Sequence, residues 1–182
     1  MSNSPSLPPS LVESATFGSE DTVIVSLEDA HEKPVIPAAS TDGSEILPSK
    51  LYLELKAITT TGRVFKNWAK TFSCVPEQYF TPQTEDDIVK IIHLARIVGK
   101  KVKAIGSGHS PSDLACTDGF MINTDKLNRL IKVDKEARTV TVEAGIRLME
   151  LNQILDLHGL ALSSLGSISE QSIAGALATA TH

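Results

Sequence analysis

The spacing of apolar residues divides the chain in two. Up to about residue 50 they are scattered among serines, prolines and acids, and from Leu51 onward they recur with the periods of strands and helices. Tyr79-Phe80-Thr81-Pro82 predicts a short strand ended by proline. Thr84-Glu85-Asp86-Asp87 then predicts a helix start. The Thr84 hydroxyl is placed to accept from the Asp87 N–H, and three acids sit in the positive first turn. Ile88, Ile91, Ile92, Ala95 and Val98 form one helical face, Gly99 supplies the left-handed residue after it, and Lys100 and Lys101 lie near its negative end. Val102–Ile105 is the next strand, which makes a βαβ unit of right-handed connection.

Further on, Phe120–Asn123 reads as a strand. Leu130–Val133 and Thr139–Glu143 read as a hairpin around a five-residue polar loop, Asp134–Arg138, with Val140, Val142 and Ala144 on one face. Leu148, Leu151, Ile154, Leu155 and His158 make a second helical stripe ended by Gly159, and Leu160–Leu162 is a brief strand. Gln171–Thr181 is rich in Ala, Gly and Thr, whose small side chains permit close approach of a neighbour or ligand.

Composition separates the first 50 residues further. They hold six prolines, and eight acidic residues against two lysines, a poor basis for a core. Residues 1–60 are expected to be a disordered acidic tail, with Thr22–Leu27 as an isolated strand. The whole chain has 182 residues and a net charge of −5, enough for one domain plus a tail and unsuited to nucleic acid. Cys74 and Cys116 stand far apart with no CxxC spacing. This argues against a zinc knuckle or a disulfide framework and fits a reducing, intracellular compartment. No apolar run reaches the roughly 18 residues of a transmembrane segment, and neither a secretory signal nor an Arg-rich presequence is visible.

Candidate chemistry centres on Gly106-Ser107-Gly108-His109-Ser110, directly after the strand Val102–Ile105. The Gly-Lys-Ser/Thr of a P-loop is missing. Pro111 stands where a Rossmann fingerprint has its third glycine, and no long amphipathic helix follows. Two readings remain: an ordinary Gly-Ser turn, or a nest of backbone N–H groups for a diphosphate on a loop between strands. His109 is either a satisfied loop histidine or a nucleophile toward a flavin; His93, Cys116 and His158 offer it no metal-ligand spacing. In the second segment, Gly166 to Gly175, the glycines serve either close helix–sheet packing or a cofactor.

Four segments in order, Ala104–Gly119, Phe120–Lys135, Thr139–Arg147 and Gly159–His182, resemble the FAD-binding domain of sugar-lactone oxidoreductases. These belong to the vanillyl-alcohol-oxidase-like superfamily, and the fungal D-arabinono-1,4-lactone oxidases are closest in pattern. The resemblance implies an α+β, PCMH-type FAD-binding domain over residues 67–182. It would contain a βαβ subdomain and the start of a second, mixed-sheet subdomain, incomplete at the C-terminus, with the substrate domain absent. It further implies that Gly106, Ser107, Gly108 and Ser110 hold the FAD diphosphate, that Ile105 contacts the cofactor, and that His109 bonds covalently to the flavin. Ser167, Ser169, Gln171, Ile173, Gly175 and Thr179 would line the cofactor. Gly166, lacking a methyl group, would leave room for dioxygen and favour an oxidase.

The expected substrates of the complete enzyme are a sugar lactone and dioxygen, giving an enediol lactone and peroxide. No catalytic residue of its own is expected in this stretch, since the base and the lactone-gripping residues would lie beyond His182. By resemblance alone, mitochondrial membrane association is expected. The isolated chain is expected to bind FAD poorly and to turn over no lactone. The alternatives are a non-catalytic remnant that keeps the glycine segments for packing, and a related alditol or sugar oxidase.

Overall fold

The structure, a computed structural model, describes residues 47–181 together with Thr22–Val23. The strands are β1 (Thr22–Val23), β2 (Thr59–Thr60), β3 (Phe65–Lys66), β4 (Ser73–Cys74), β5 (Gln78–Phe80), β6 (Val102–Ile105), β7 (Phe120–Asn123), β8 (Leu130–Asp134), β9 (Thr139–Val142) and β10 (Ala161–Leu162). The helices are α1 (Pro48–Leu55), α2 (Glu85–Ile97), α3 (Leu148–Leu157) and α4 (Ile173–Ala178).

The first half is built on a four-stranded sheet of order β2-β5-β7-β6. β5 and β6 both run parallel to β7, while β2 is antiparallel to β5. The βαβ unit read from the sequence is present as β5-α2-β6, with β7 inserted between its two strands. All four residues of β7 are buried, as expected of a central parallel strand covered on both faces. One face packs Phe80, Phe120 and Ile122 against Leu51 and Leu55 of α1 and Ile91, Leu94 and Ala95 of α2. The rings of Phe80 and Phe120 meet edge to face at 5.2 Å.

Local chemistry sets the ends of α2. The Asp87 N–H donates to the Thr84 hydroxyl at 3.1 Å, the Thr84 N–H donates back to the Asp87 carboxylate at 3.1 Å, and Gly99 takes φ +67° after the last turn. The helix faces the sheet slightly differently from the sequence reading: Leu94 is fully buried, whereas Ile92 is 42% exposed.

The second half has its own core of Val140, Ile146, Leu148, Leu151, Leu155, Ile173 and Ala176. The antiparallel hairpin β8–β9, helix α3 and helix α4 surround it, and β1 pairs in parallel with β10. Residues 171–174 run alongside 144–148: the N–H groups of Leu148, Ile173 and Ala174 meet the carbonyls of Gln171, Ile146 and Ala144 at 2.9, 2.9 and 3.2 Å.

Two expectations are corrected. The expected disordered stretch 1–60 contains folded structure, since Pro48–Leu55 is a helix whose Leu51 and Leu55 are buried against α2. A proline at its first turn and leucines one turn apart suffice, because the second helix supplies the apolar partner. The remainder of that stretch, apart from Thr22–Val23, lies outside the described residues. The hairpin loop has four residues, not five, because Asp134 pairs with Thr139 and its carboxylate accepts from the Ala137 N–H at 2.9 Å. Within the small-residue stretch near the C-terminus, Ile173–Ala178 form the helix α4.

The two halves meet where the chain passes from Thr124 to Gly145. The Gly145 N–H donates to the Leu127 carbonyl at 2.7 Å, and a Cβ on Gly145 would sit 1.9 Å from the Thr124 carbonyl oxygen. Backbone cannot yield as a side-chain tip can. Gly145→Ala is therefore expected to lower stability by about 1–3 kcal/mol, measured as a fall in the urea midpoint at unchanged slope.

Candidate functional site

At the C-terminal end of β6 the chain turns through Gly106–Ser110 and borders an open cavity of about 460 Å³. Ala104 to Pro111 line one side. Gln171, Ser172, Gly175, Ala176, Ala178, Thr179 and Thr181, on α4 and the residues flanking it, line the other. The two segments singled out in the sequence thus share one cavity.

Their contact is tight. A Cβ on Gly106 would lie 1.7 Å from the Ser172 hydroxyl, so only glycine allows this approach. Ser107 and Ser172 cross-bond reciprocally, each backbone N–H donating to the other's hydroxyl at 3.3 Å. Gly108 takes φ +71°, and a Cβ there would touch the Phe65 ring at 3.4 Å. The loop is also held from below. The Trp68 N–H donates to the Gly108 carbonyl at 2.8 Å, and the Asn67 amide donates to the Ser110 carbonyl at 3.1 Å. Asn67 is buried and is itself fixed by the Phe72 N–H, which donates to Oδ1 at 3.0 Å, and by the Thr71 hydroxyl, which accepts at 3.0 Å. The Trp68 ring stacks on His109 with centroids 5.3 Å apart and planes 22° from parallel.

With its carbonyls occupied in this way, the loop turns its donors elsewhere. The backbone N–H groups of Gly108, His109 and Ser110 have no partner among the described residues. Two buried side-chain atoms are also unpaired, His109 Nδ1 and Gln171 Oε1, both on cavity-lining residues. Three free N–H groups in one turn are the donors of an anion-binding concavity, whereas Gln171 Oε1, an acceptor, calls for a donor. Below it Tyr79 packs with Ile105. Burial pushes its hydroxyl above its ordinary range, opposed by the Arg63 guanidinium 4.3 Å over its ring.

Residues 76–182 match the protein family described as FAD binding domain. The chain belongs to that family. L-gulonolactone oxidase of Mus musculus is 53% identical over 121 residues, 66% of this chain and 28% of its own length. D-arabinono-1,4-lactone oxidase of Eremothecium gossypii is 49% identical over 123 residues, 65% of this chain and 23% of its own length. The chain thus spans about a quarter of the length of the curated relatives it matches.

Among solved structures, cholesterol oxidase from Brevibacterium sterolicum superposes with TM-score 0.60 at 22% identity, over 70% of this chain and 25% of that one. A Physcomitrella patens BBE-like 1 variant superposes with TM-score 0.60 at 24% identity, over 71% and 30%. The α+β architecture is the PCMH-type FAD-binding fold, present in part.

The structure distributes the residues expected to touch FAD unequally. Ile105, Gly106, Ser107, Gly108, His109, Ser110, Gln171, Gly175 and Thr179 all border the cavity. Ile173 does not; its side chain is 5% exposed within the core of the second half, because helix α4 turns it inward. Ser167 and Ser169 are exposed away from the cavity wall, and Ser169 instead offers its carbonyl to the Met149 N–H at the start of α3. Gly166 stands behind the wall, where a Cβ would meet the Thr181 methyl at 2.9 Å and Gln171 Oε1 at 3.4 Å. Sequence reasoning missed Asn67, Trp68 and Ser172. For Ser172 a signal existed, a serine inside a run of small residues. For Asn67 and Trp68 none did, since their partners lie about 40 positions away along the chain.

The site residues suit the cofactor named by the family. The free N–H triplet fits a diphosphate, and the glycine–serine contact leaves no Cβ in its way. The described residues contain no group of three His, Cys, Asp or Glu that could hold a metal ion, and no helix long and apolar enough to cross a membrane.

Proposed function

We propose that this chain is the FAD-binding part of an aldonolactone oxidase, with His109 as the point of covalent attachment to the flavin. The observation that carries the reading is the placement of His109. Its Nδ1 is buried without a partner on a residue that borders the cavity shared by both glycine-bearing segments. Gly108, His109 and Ser110 would hold the diphosphate through their N–H groups, while Gln171, Gly175 and Thr179 would face the remainder of the cofactor. The stacked Trp68 fixes the plane of the imidazole, and its unpartnered Nδ1 would be the nucleophile.

Bound FAD would accept a hydride from the lactone carbon bearing the hydroxyl next to the carbonyl and pass the electrons to dioxygen, giving peroxide and an enediol lactone. Gly166, behind Gln171 and Thr181, would keep a methyl out of the path of dioxygen. The substrate proposed is an aldono-1,4-lactone of the D-arabinono class. Similarity to an L-gulonolactone oxidase of mouse supports the aldonolactone class equally. Dioxygen and a small sugar lactone are the proposed partners.

FAD added to the full chain is expected to shift the amide resonances of Gly106–Ser110 and Gly175–Thr179 while leaving the β8–β9 hairpin loop unmoved. Riboflavin, which lacks the diphosphate, should not shift the first set. In the complete enzyme, isolated with FAD and then denatured, flavin absorbance should stay with the wild-type polypeptide and leave His109→Ala. Flavin still bonded in His109→Ala would sink the attachment, and equal shifts from riboflavin would sink the diphosphate assignment.

A further inference from the structure

The cysteines read from the sequence as distant and unrelated are neighbours in the fold. Cys74, on β4, pairs across the β3–β4 ladder with Phe65, and Cys116 lies on the loop between the glycine turn and β7. Both pack on one apolar cluster, Phe65, Tyr79, Ile105 and Met121, which places the two thiols close enough for each to feel the other. Both are free and half-buried. Phe65 is also the ring beneath Gly108, so the pair sits under the cavity loop.

We propose that Cys74 and Cys116 are a redox-responsive pair, which a hydroperoxide closes into an intramolecular disulfide that ties the β3–β4 hairpin to the loop after the glycine turn. The proposal stands independently of the flavin reading, because both cysteines pack on the same cluster in the protein without a ligand. One sulfur, as thiolate, attacks the peroxide O–O bond. It takes up the terminal oxygen as a sulfenic acid, and hydroxide leaves to collect the thiol proton as water. The second thiol then attacks that sulfur, forming the S–S bond and expelling the oxygen as a second water. In sum, two thiols and one hydrogen peroxide give one disulfide and two waters; the sulfurs together lose two electrons and the peroxide gains them. Burial and the adjoining Cys74 thiol hold the Cys116 thiol above its ordinary range, which suits Cys116 to the resolving role and Cys74 to first attack.

The hairpin concerned carries Asn67 and Trp68 in its turn, the residues that grip Gly108, His109 and Ser110. A bond from Cys74 to Cys116 would fasten that grip covalently. It would also shorten the unfolded chain between two positions 42 apart in sequence, and so raise thermal stability.

The test uses the full chain, reduced, desalted and exposed to hydrogen peroxide, then denatured and treated with a thiol-alkylating reagent. The expected product is monomeric, lighter by two hydrogens, unlabelled, and restored by dithiothreitol. Its Tm should be higher by roughly 5–10 °C than that of the reduced chain. Cys74→Ser and Cys116→Ser chains should each keep one cysteine and show neither the mass loss nor the Tm rise. Wild-type chain that retains two alkylatable thiols, links only to other chains, or gains oxygens at each cysteine separately would overturn the proposal.

Discussion

Gly106→Val is expected to abolish the response of the glycine loop to FAD and to lower stability by more than about 3 kcal/mol. A methyl at this position already falls 1.7 Å from the Ser172 hydroxyl oxygen, and the two γ-carbons of valine would fall deeper. Ser172 cannot step aside. It is 3% exposed, its N–H donates to the Ser107 hydroxyl, and its carbonyl accepts from the Ala176 N–H at 3.1 Å in the first turn of α4. The clash therefore resolves by parting the loop from α4, which opens the cavity and removes both serine–serine bonds. Urea denaturation gives the stability change, and the FAD titration of amide resonances gives the site effect. A Gly106→Val chain with an unchanged urea midpoint would show that the close approach is not obligatory.

Asn67→Asp is the second large effect and the more diagnostic, because it alters charge and donors while keeping shape. Asn67 Oδ1 accepts from the Phe72 N–H, which an aspartate can still satisfy. Nδ2 donates to the Ser110 carbonyl at 3.1 Å and to Thr71 at 3.0 Å. An aspartate oxygen there would face the Ser110 carbonyl, acceptor against acceptor, at a residue only 3% exposed. The expected loss is about 3 kcal/mol or more at neutral pH.

The loss is also expected to depend on pH. Burial and the opposed carbonyl raise the folded-state pKa of the new carboxyl above its unfolded value. Its stability is then fully present below the unfolded value, where the protonated acid donates to Ser110, and is lost as pH rises through the folded value. Urea midpoints at pH 4 and pH 7 should therefore differ more in Asn67→Asp than in the wild-type chain. An equal difference would remove the role assigned to the Asn67–Ser110 bond.

What the sequence disclosed follows from range. Helix α2 was legible because its cap, its acids, its apolar spacing and Gly99 all act within a turn or two. The strands β6 and β7 and the hairpin β8–β9 were legible for the same reason. The glycine turn left two readings open, an ordinary turn or an anion nest, and the family match covers the stretch that contains it. Contacts across tens of residues were not legible. Helix α1 has only eight residues and no side-chain cap, and it exists by leaning on α2. Ile173 was expected beside the cofactor only through the resemblance, but a helix of six residues turns it into the core. Asn67, Trp68 and the Cys74–Cys116 contact depend on β3 and β4 folding under the loop, which no local spacing encodes.

The separate apolar interiors of the two halves have a consequence for how a ligand can be kept. The cavity has no wall of its own: one side belongs to the sheet that carries β6, the other to the unit that carries α4. It exists only while both units are folded and seated on each other. Retention of a molecule there reports correct assembly of the pair, and damage remote from the cleft on either side empties it as surely as damage within it.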